Sequence, residues 1–369
     1  YYSISAASPI LLNIVIISLA LIFYFLLPNV FNNMSYVFAI AVLIGGMVQF
    51  AYQIPFVNRL GFNFLPNFNF RDSYVIKMIK LFAPGIFGAS IYQINLLVST
   101  AFAGAIGEGR VSAVTFANRI HEFVLGVFAV SIATVMLPTL SKLIVNEKYD
   151  EAKDTLSYSL RLVALITIPA TFGFMILGKE IVAMIFQYGA FSEKSTLLVS
   201  NALRYLSVSL FFVASYRIVV QSFYAMKDMK TPVYIAFFAF IINAVSNYLC
   251  VYIFHFDIIG ISISSVAANI VSFIILYILL MKKMNMSFSL NSGKINTVKT
   301  LFSSIIMAMA VYSLRFYILR DSSTRIIFII KVFVVIFIGV IIYSIVNVVL
   351  KNEDFISIFN LFKKKIIKK

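Results

Sequence analysis

Arg119 and Arg217 are cations inside apolar runs, in Thr115-Phe-Ala-Asn-Arg-Ile-His-Glu-Phe123 and Ala214-Ser-Tyr-Arg-Ile218. A charge at bilayer depth costs about 2.5–3.5 kcal/mol on insertion scales, so it is kept where it faces a partner, a cavity or a cargo. The planar guanidinium donates two parallel hydrogen bonds, which suits phosphate. Glu122 lies one turn beyond Arg119 on the same helix face, close enough to pair. That spacing leaves two readings open. One is an internal ion pair that only neutralises the helix. In the other, Arg119 projects into an aqueous cavity and binds an anion, and Glu122 sets its rotamer. Arg217, with Gln221 one turn on, reads as a second candidate cavity cation or as a side chain that snorkels or packs. Arg204, nearer the outer end of its span, and Lys331, at the start of another, read as side chains that snorkel to the interface. His121 points away from Arg119 and reads as packing.

Amides form a second group: Gln93, Asn95 and Ser99 in one span, Asn243 and Asn247 in another. Asn243 and Asn247 are four apart and share a face. Hydrogen bonding between helices is one role for them, and a cation site built from Ser99, Asn243 and Asn247 oxygens is the other. No carboxylate lies among them. The chain has two histidines, His121 and His255, and one cysteine, Cys250, which rules out an internal disulfide. No phosphate loop, nucleophile elbow or metal-ligand spacing appears. The sequence therefore argues against an enzyme and calls for no cofactor.

The elements that carry these residues follow from composition. Hydrophobic residues make up 62% of the 369, mean hydropathy is +0.99, and charged residues are 12%, about half the usual share in a soluble domain. Apolar blocks of about 20 residues match the bilayer core, and no strand alternation points to a barrel. The chain is thus an all-α polytopic membrane protein with ten spans: 9–27, 35–56, 80–106, 111–141, 159–177, 196–225, 233–253, 258–281, 298–318 and 326–349. With both ends in the cytoplasm, 20 Lys and Arg fall inside and seven outside, while Arg119, Arg204 and Arg217 stay within spans. That is the bias a membrane protein shows. The net charge of +16 then reflects topology and attraction to anionic lipids, and nucleic acid is a poor partner. The tail Lys363-Lys-Lys-Ile-Ile-Lys-Lys369 reads as a membrane-surface anchor. Residues 57–80 break the pattern and end in Arg71-Asp-Ser-Tyr-Val-Ile-Lys-Met-Ile-Lys80, an amphipathic helix on the inner face that marks a boundary between two lobes. Residues 142–158 read as a charged loop or short surface helix. Pro84-Gly85, Gly88, Pro138, Pro169 and Gly173 mark places where spans bend around a site, or simply the higher Gly and Pro content of membrane helices.

Six segments together resemble the lipid II flippase family MurJ (MviN). They are Ala6-Ala-Ser-Pro-Ile-Leu-Leu-Asn13, Gly45-Gly-Met-Val-Gln-Phe-Ala-Tyr-Gln-Ile-Pro55, Phe116-Ala-Asn-Arg-Ile-His-Glu-Phe123, Leu137-Pro-Thr-Leu-Ser141, Phe186-Gln-Tyr-Gly-Ala-Phe191 and Phe223-Tyr-Ala-Met-Lys-Asp-Met-Lys-Thr-Pro232. They run in family order over nearly the whole chain. The resemblance implies a two-lobe exporter fold of fourteen spans, of which these ten would be the fifth to fourteenth. Residues 1–56 would close the N-lobe, 57–80 link the lobes, and 81–297 form the C-lobe. Residues 298–350 would be a helix pair forming a lipid-facing groove for the prenyl tail, and 351–369 a basic tail. The implied activity moves the undecaprenyl-diphosphate-linked peptidoglycan precursor outward across the bacterial inner membrane by alternating access. Lipid II and membrane lipids are the implied partners, and the chain is expected to act as a monomer. Arg119 and Glu122 match the family's cavity arginine and its nearby acid, and Arg217 falls where relatives carry a basic residue. Some relatives bind sodium near Ser99, Asn243 and Asn247, so Na+ or the membrane potential would supply energy. Relatives place Asp at Ser99 and Asn247, and this chain departs from them there. A related exporter of another polyprenyl-linked glycan or of drugs, and a membrane-embedded transferase, are the competing functions.

Overall fold

A computed structural model describes residues 2–26, 34–59, 61, 72–284, 294–319 and 324–367. The described residues are helical almost throughout, with no strand among them. Helices are what a chain this apolar must form, because hydrocarbon offers no partner to a backbone N–H or C=O. The helices are α1 (Tyr2–Leu26), α2 (Met34–Asn58), α3 (Ser73–Ile106), α4 (Arg110–Val124), α5 (Val130–Val145), α6 (Tyr149–Phe186), α7 (Glu193–Ser207), α8 (Leu210–Ala225), α9 (Lys230–Tyr248), α10 (Ile258–Lys283), α11 (Lys294–Ile318), α12 (Arg325–Val349) and α13 (Glu353–Ile367). Two π turns interrupt this order: Leu125–Ala129 joins α4 to α5, and Leu249–Ile253 prolongs α9.

The chain forms two compact units, Tyr1–Ile76 and Lys77–Lys369. In the first, α1 and α2 pack along one another. Gly45 permits the approach, since a Cβ there would lie 2.7 Å from Leu12 Cδ1. Gln53 Nε2 donates to the buried Ser8 Oγ at 2.8 Å. In the second, α6 is the central strut and packs against α5, α7, α8, α11, α12 and α13, while α10 packs against α7, α8 and α9. Leu203, Leu210, Ile218, Val219, Phe223, Leu276 and Leu280 are sealed in its core. The outward surface carries Phe302, Phe333 and Phe337 exposed, as lipid rather than water requires.

Among the described residues, seven helices are long and apolar enough to cross a membrane, or eight if α7 and α8, bent by 51° at their junction, count as one span. Ten spans were expected. The expected third and fourth fall on α3 and on α4–α5; α4 by itself is short and polar, carrying Arg110, Asn118, Arg119, His121 and Glu122. The stretch 142–158, expected as a charged loop or short surface helix, is the end of α5, a tight turn at 146–148 and the start of α6, which runs unbroken for 38 residues. Pro169 and Gly173 do not interrupt it. The amphipathic stretch from Asp72 on is the first part of α3, while Arg71 falls outside the described residues. The α7/α8 break is stabilised by hydroxyls. Ser207 and Ser209 donate to the carbonyls of Arg204 and Leu206, both at 2.7 Å, and Thr171 of α6 donates to the Ser207 carbonyl at 2.9 Å. Side-chain bonds of this kind satisfy the backbone groups that a bend exposes.

Ion pairs tie both ends of the larger unit. At one end Arg110 grips Asp257 with Nε and Nη2 at 3.0 and 3.2 Å, and Arg315 Nε meets Glu180 at 2.7 Å. That hydrogen bond from Arg110 holds the Asp257 carboxyl below its ordinary value. Gly107 and Gly109, at φ 143° and 79°, make the turn before α4, a backbone that side chains disfavour. At the other end Asp228 accepts from the backbone N–H groups of Lys230 and Thr231, at 3.1 and 3.0 Å, and pairs with Lys283. Burial pushes the Asp228 carboxyl up, but the hydrogen bonds from Lys283 and Thr231 outweigh it and bring the carboxyl down to about 2.

Candidate functional site

The chemistry-bearing residues of the larger unit gather where α3, α4, α7, α8 and α10 meet. A chamber of about 110 Å³ there is lined by Asn95, Ser99, Asn118, His121, Glu122, Ser262, Ser265 and Asn269 together with apolar side chains. A space of that size holds a few waters. Ser265 and Asn269 are four apart on α10, and this i, i+4 polar pair was the available signal for them. Asn118, next to Arg119, was equally visible. All three were missed.

Arg119 is exposed on α4. No hydrogen bond or ion pair engages its guanidinium among the described residues. Glu122, set against Arg119 by sequence spacing, is instead held from α8. Arg217 Nη2 donates to both its oxygens, at 2.8 and 3.0 Å. The i, i+3 spacing could not reveal this bond, because its partners are 95 residues apart. The pair is partly open, with 29% of the Arg217 side chain and 40% of the Glu122 side chain exposed. His121 is buried and shares a 3.2 Å hydrogen bond with Ser209 Oγ at the α7/α8 break, in keeping with a packing role. Arg204 lies along Gly178 of α6, its Cγ 3.1 Å from where a Cβ would stand, and its Nε is buried without a hydrogen-bond partner. It therefore packs against α6 at this point.

The structure brings Ser99, Asn243 and Asn247 together, all buried. Asn243 Oδ1 accepts from Ser99 Oγ at 3.0 Å and from Asn247 Nδ2 at 2.8 Å, and Asn243 Nδ2 donates to Ser265 Oγ at 3.4 Å. The cluster thus joins α3, α9 and α10. A sodium ion needs several oxygens turned toward one point. Here two donors already face the Asn243 oxygen a cation would claim, and only Asn247 Oδ1 is left buried without a partner. With no carboxylate among the three residues, the set suits hydrogen bonding between helices and does not fit a cation.

Each polar group is followed by a π turn. Leu125–Ala129 begins three residues after Glu122, and Leu249–Ile253 two after Asn247. Phe254 N donates to the Leu249 carbonyl at 2.9 Å, five residues back. Such turns offset one stretch of helix from the next and recur at functional sites. Among the described residues, no group of three or more His, Cys, Asp or Glu is placed to hold a metal.

Against this geometry, the comparisons with known proteins agree. The chain is 34% identical over 317 residues to a protein of Haemophilus influenzae described as a probable lipid II flippase MurJ, covering 84% of this chain and 61% of that protein. The chain spans about half to three fifths of the length of the curated relatives it matches. Among solved structures, a lipid II flippase MurJ in an inward closed conformation aligns with TM-score 0.73 at 23% identity, over 94% of this chain and 67% of that one. A multidrug resistance MATE family transporter in an inward-facing conformation aligns with TM-score 0.66 at 15% identity, over 77% of this chain and 64% of that one. These structural likenesses establish a shared fold, a bundle of membrane helices. Residues 1–339 match the family model described as lipid II flippase MurJ, and the chain belongs to that family.

Proposed function

We propose that the protein moves lipid II, the undecaprenyl-diphosphate-linked peptidoglycan precursor, from the inner to the outer leaflet of the bacterial inner membrane by alternating access. It does so without catalysing a covalent change. The observation that carries this reading is Arg119: a guanidinium within an apolar chain, exposed and engaged by no described residue. Facing lipid alone, such a charge would be expensive, whereas a diphosphate satisfies its fork. Arg217 adds a second guanidinium to the grip, with Glu122 as its ion-pair partner. Both chain ends face the cytoplasm, the orientation the Lys and Arg bias favours. The amide cluster acts as a clamp between helices, and the membrane potential, not Na+, drives transport. The test is complementation of cells depleted of their own flippase by the full-length protein. Arg119→Ala abolishes growth while expression persists, and Arg119→Lys restores it poorly. Normal growth with Arg119→Ala would sink the assignment. If depletion leaves the pools of lipid-linked precursor unchanged, the cargo is a different lipid-linked glycan.

A further inference from the structure

Among the described residues, three arginine–carboxylate pairs of the larger unit have both members within helices, and one of them is unlike the others. In Arg161–Asp354 and Arg315–Glu180 the carboxylate is sealed, with 7% and 11% of its side chain exposed. In Arg217–Glu122 the carboxylate is 40% exposed and also lines the chamber of about 110 Å³. The first two are built to stay closed. The third is accessible to competitors.

Its geometry is also incomplete. A carboxylate that fully satisfies an arginine accepts from two nitrogens in parallel. Here both hydrogen bonds come from the single nitrogen Nη2. Nε and Nη1 are therefore not engaged by Glu122. Arg119 stands one helical turn before Glu122 on α4, so the helix that supplies the carboxylate also carries a second guanidinium. An anion with two or more charges can engage both arginines, and one carboxylate or one phosphodiester cannot match it. A displaced Glu122 side chain has a place to go, because Asn118, Ser262, Ser265 and Asn269 put amide and hydroxyl donors around the chamber it already borders.

We infer that Glu122 is a resident counter-anion on Arg217 that only a polyanionic headgroup displaces, so that the site rejects the monoanionic phospholipids around it. The inference rests on the proposed cargo being a lipid-linked diphosphate. The carboxylate acts as competitor: it lowers the affinity of Arg217 for every anion, and only a ligand that recruits Arg119 as well recovers the loss. Selectivity is then a difference between affinities produced by a repulsive element. Opening the pair also releases the tie between α4 and α8, so that cargo binding and helix freedom are linked.

The experiment measures binding of a polyprenyl diphosphate, a polyprenyl monophosphate and phosphatidylglycerol to the full chain in nanodiscs of zwitterionic lipid. The unmodified chain should prefer the diphosphate. Glu122→Gln should bind phosphatidylglycerol and the monophosphate about tenfold more tightly and lose much of that preference. Glu122→Asp, which keeps the charge, should retain the preference, and Arg217→Gln should weaken diphosphate binding. An unmodified chain without preference for the diphosphate would overturn the proposed cargo. If that preference survives intact in Glu122→Gln, the counter-anion role falls while the cargo stands. A Glu122→Gln chain that no longer folds would mark the pair as structural and overturn the inference as well.

Discussion

Arg119 and Asn243 show what single residues reveal and conceal. Arg119 was legible from sequence because a cation in oil is conspicuous whatever surrounds it. The Asn243 and Asn247 pair was legible because i, i+4 amides must share a face. The partner of Glu122 was not, because a bond spanning 95 residues depends on how α4 and α8 are brought together. Asn243 is the hub of its cluster, accepting from Ser99 and Asn247 and donating to Ser265. Asn243→Ala should therefore strand three polar groups and lower stability by about 1 kcal/mol, read as a lower melting temperature in detergent or nanodiscs. Asn243→Asp should not confer stabilisation by Na+, because the donors around it still occupy that oxygen. A rise in melting temperature on adding Na+ to either the unmodified chain or this variant would restore the cation reading.

Helices were read from apolar runs, and the elements that obeyed this rule most simply, such as α6, α10 and α12, are long and apolar enough to span. The rule was weakest where polar side chains interrupt the run. In α4 polar side chains depress the hydropathy, and the π turn that follows leaves no mark in composition. The α11 and α12 pair depends on one small residue, since a Cβ on Gly339 would stand 2.8 Å from Val311 Cγ2. Gly339→Val should push these helices apart and cost about 1–3 kcal/mol, seen as lower thermal stability and faster proteolysis of the pair. The α8–α9 turn gives a pH signature. The Asp228 carboxyl is lowered to about 2 in the fold from about 3.9 when unfolded. Its contribution is complete above about pH 4 and is lost as pH falls toward 2. Asp228→Ala should thus cost about 1 kcal/mol near neutrality, and its melting curve should converge on that of the unmodified chain in acid.

For the whole molecule, composition and charge bias decided the class before any residue was placed. A net charge of +16 on so apolar a chain has few uses other than orienting it against an anionic leaflet. What the pattern break at 57–80 could not supply was the point at which the two compact units divide, between Ile76 and Lys77. That division depends on which helices touch, and the hydropathy of α3 is continuous across it. With a neutral amide cluster where a cation would sit, replacing Na+ by K+ at constant membrane potential should leave transport by the full-length protein unchanged. Collapsing the potential should stop it. Measuring precursor exposed on the outer leaflet under each condition checks both, and loss of transport in K+ would reverse the assignment.

The π turn at Leu125–Ala129 has a consequence for how this span tolerates insertions and deletions. One surplus residue is absorbed there, so removing Gly126, whose place for a side chain is empty, would wind the segment into plain α-helix and leave both flanks in phase. The same excision two turns earlier, at Ala117, would rotate Arg119 and Glu122 by about 100° relative to the preceding helix. One deletion should be silent for folding, the other ruinous.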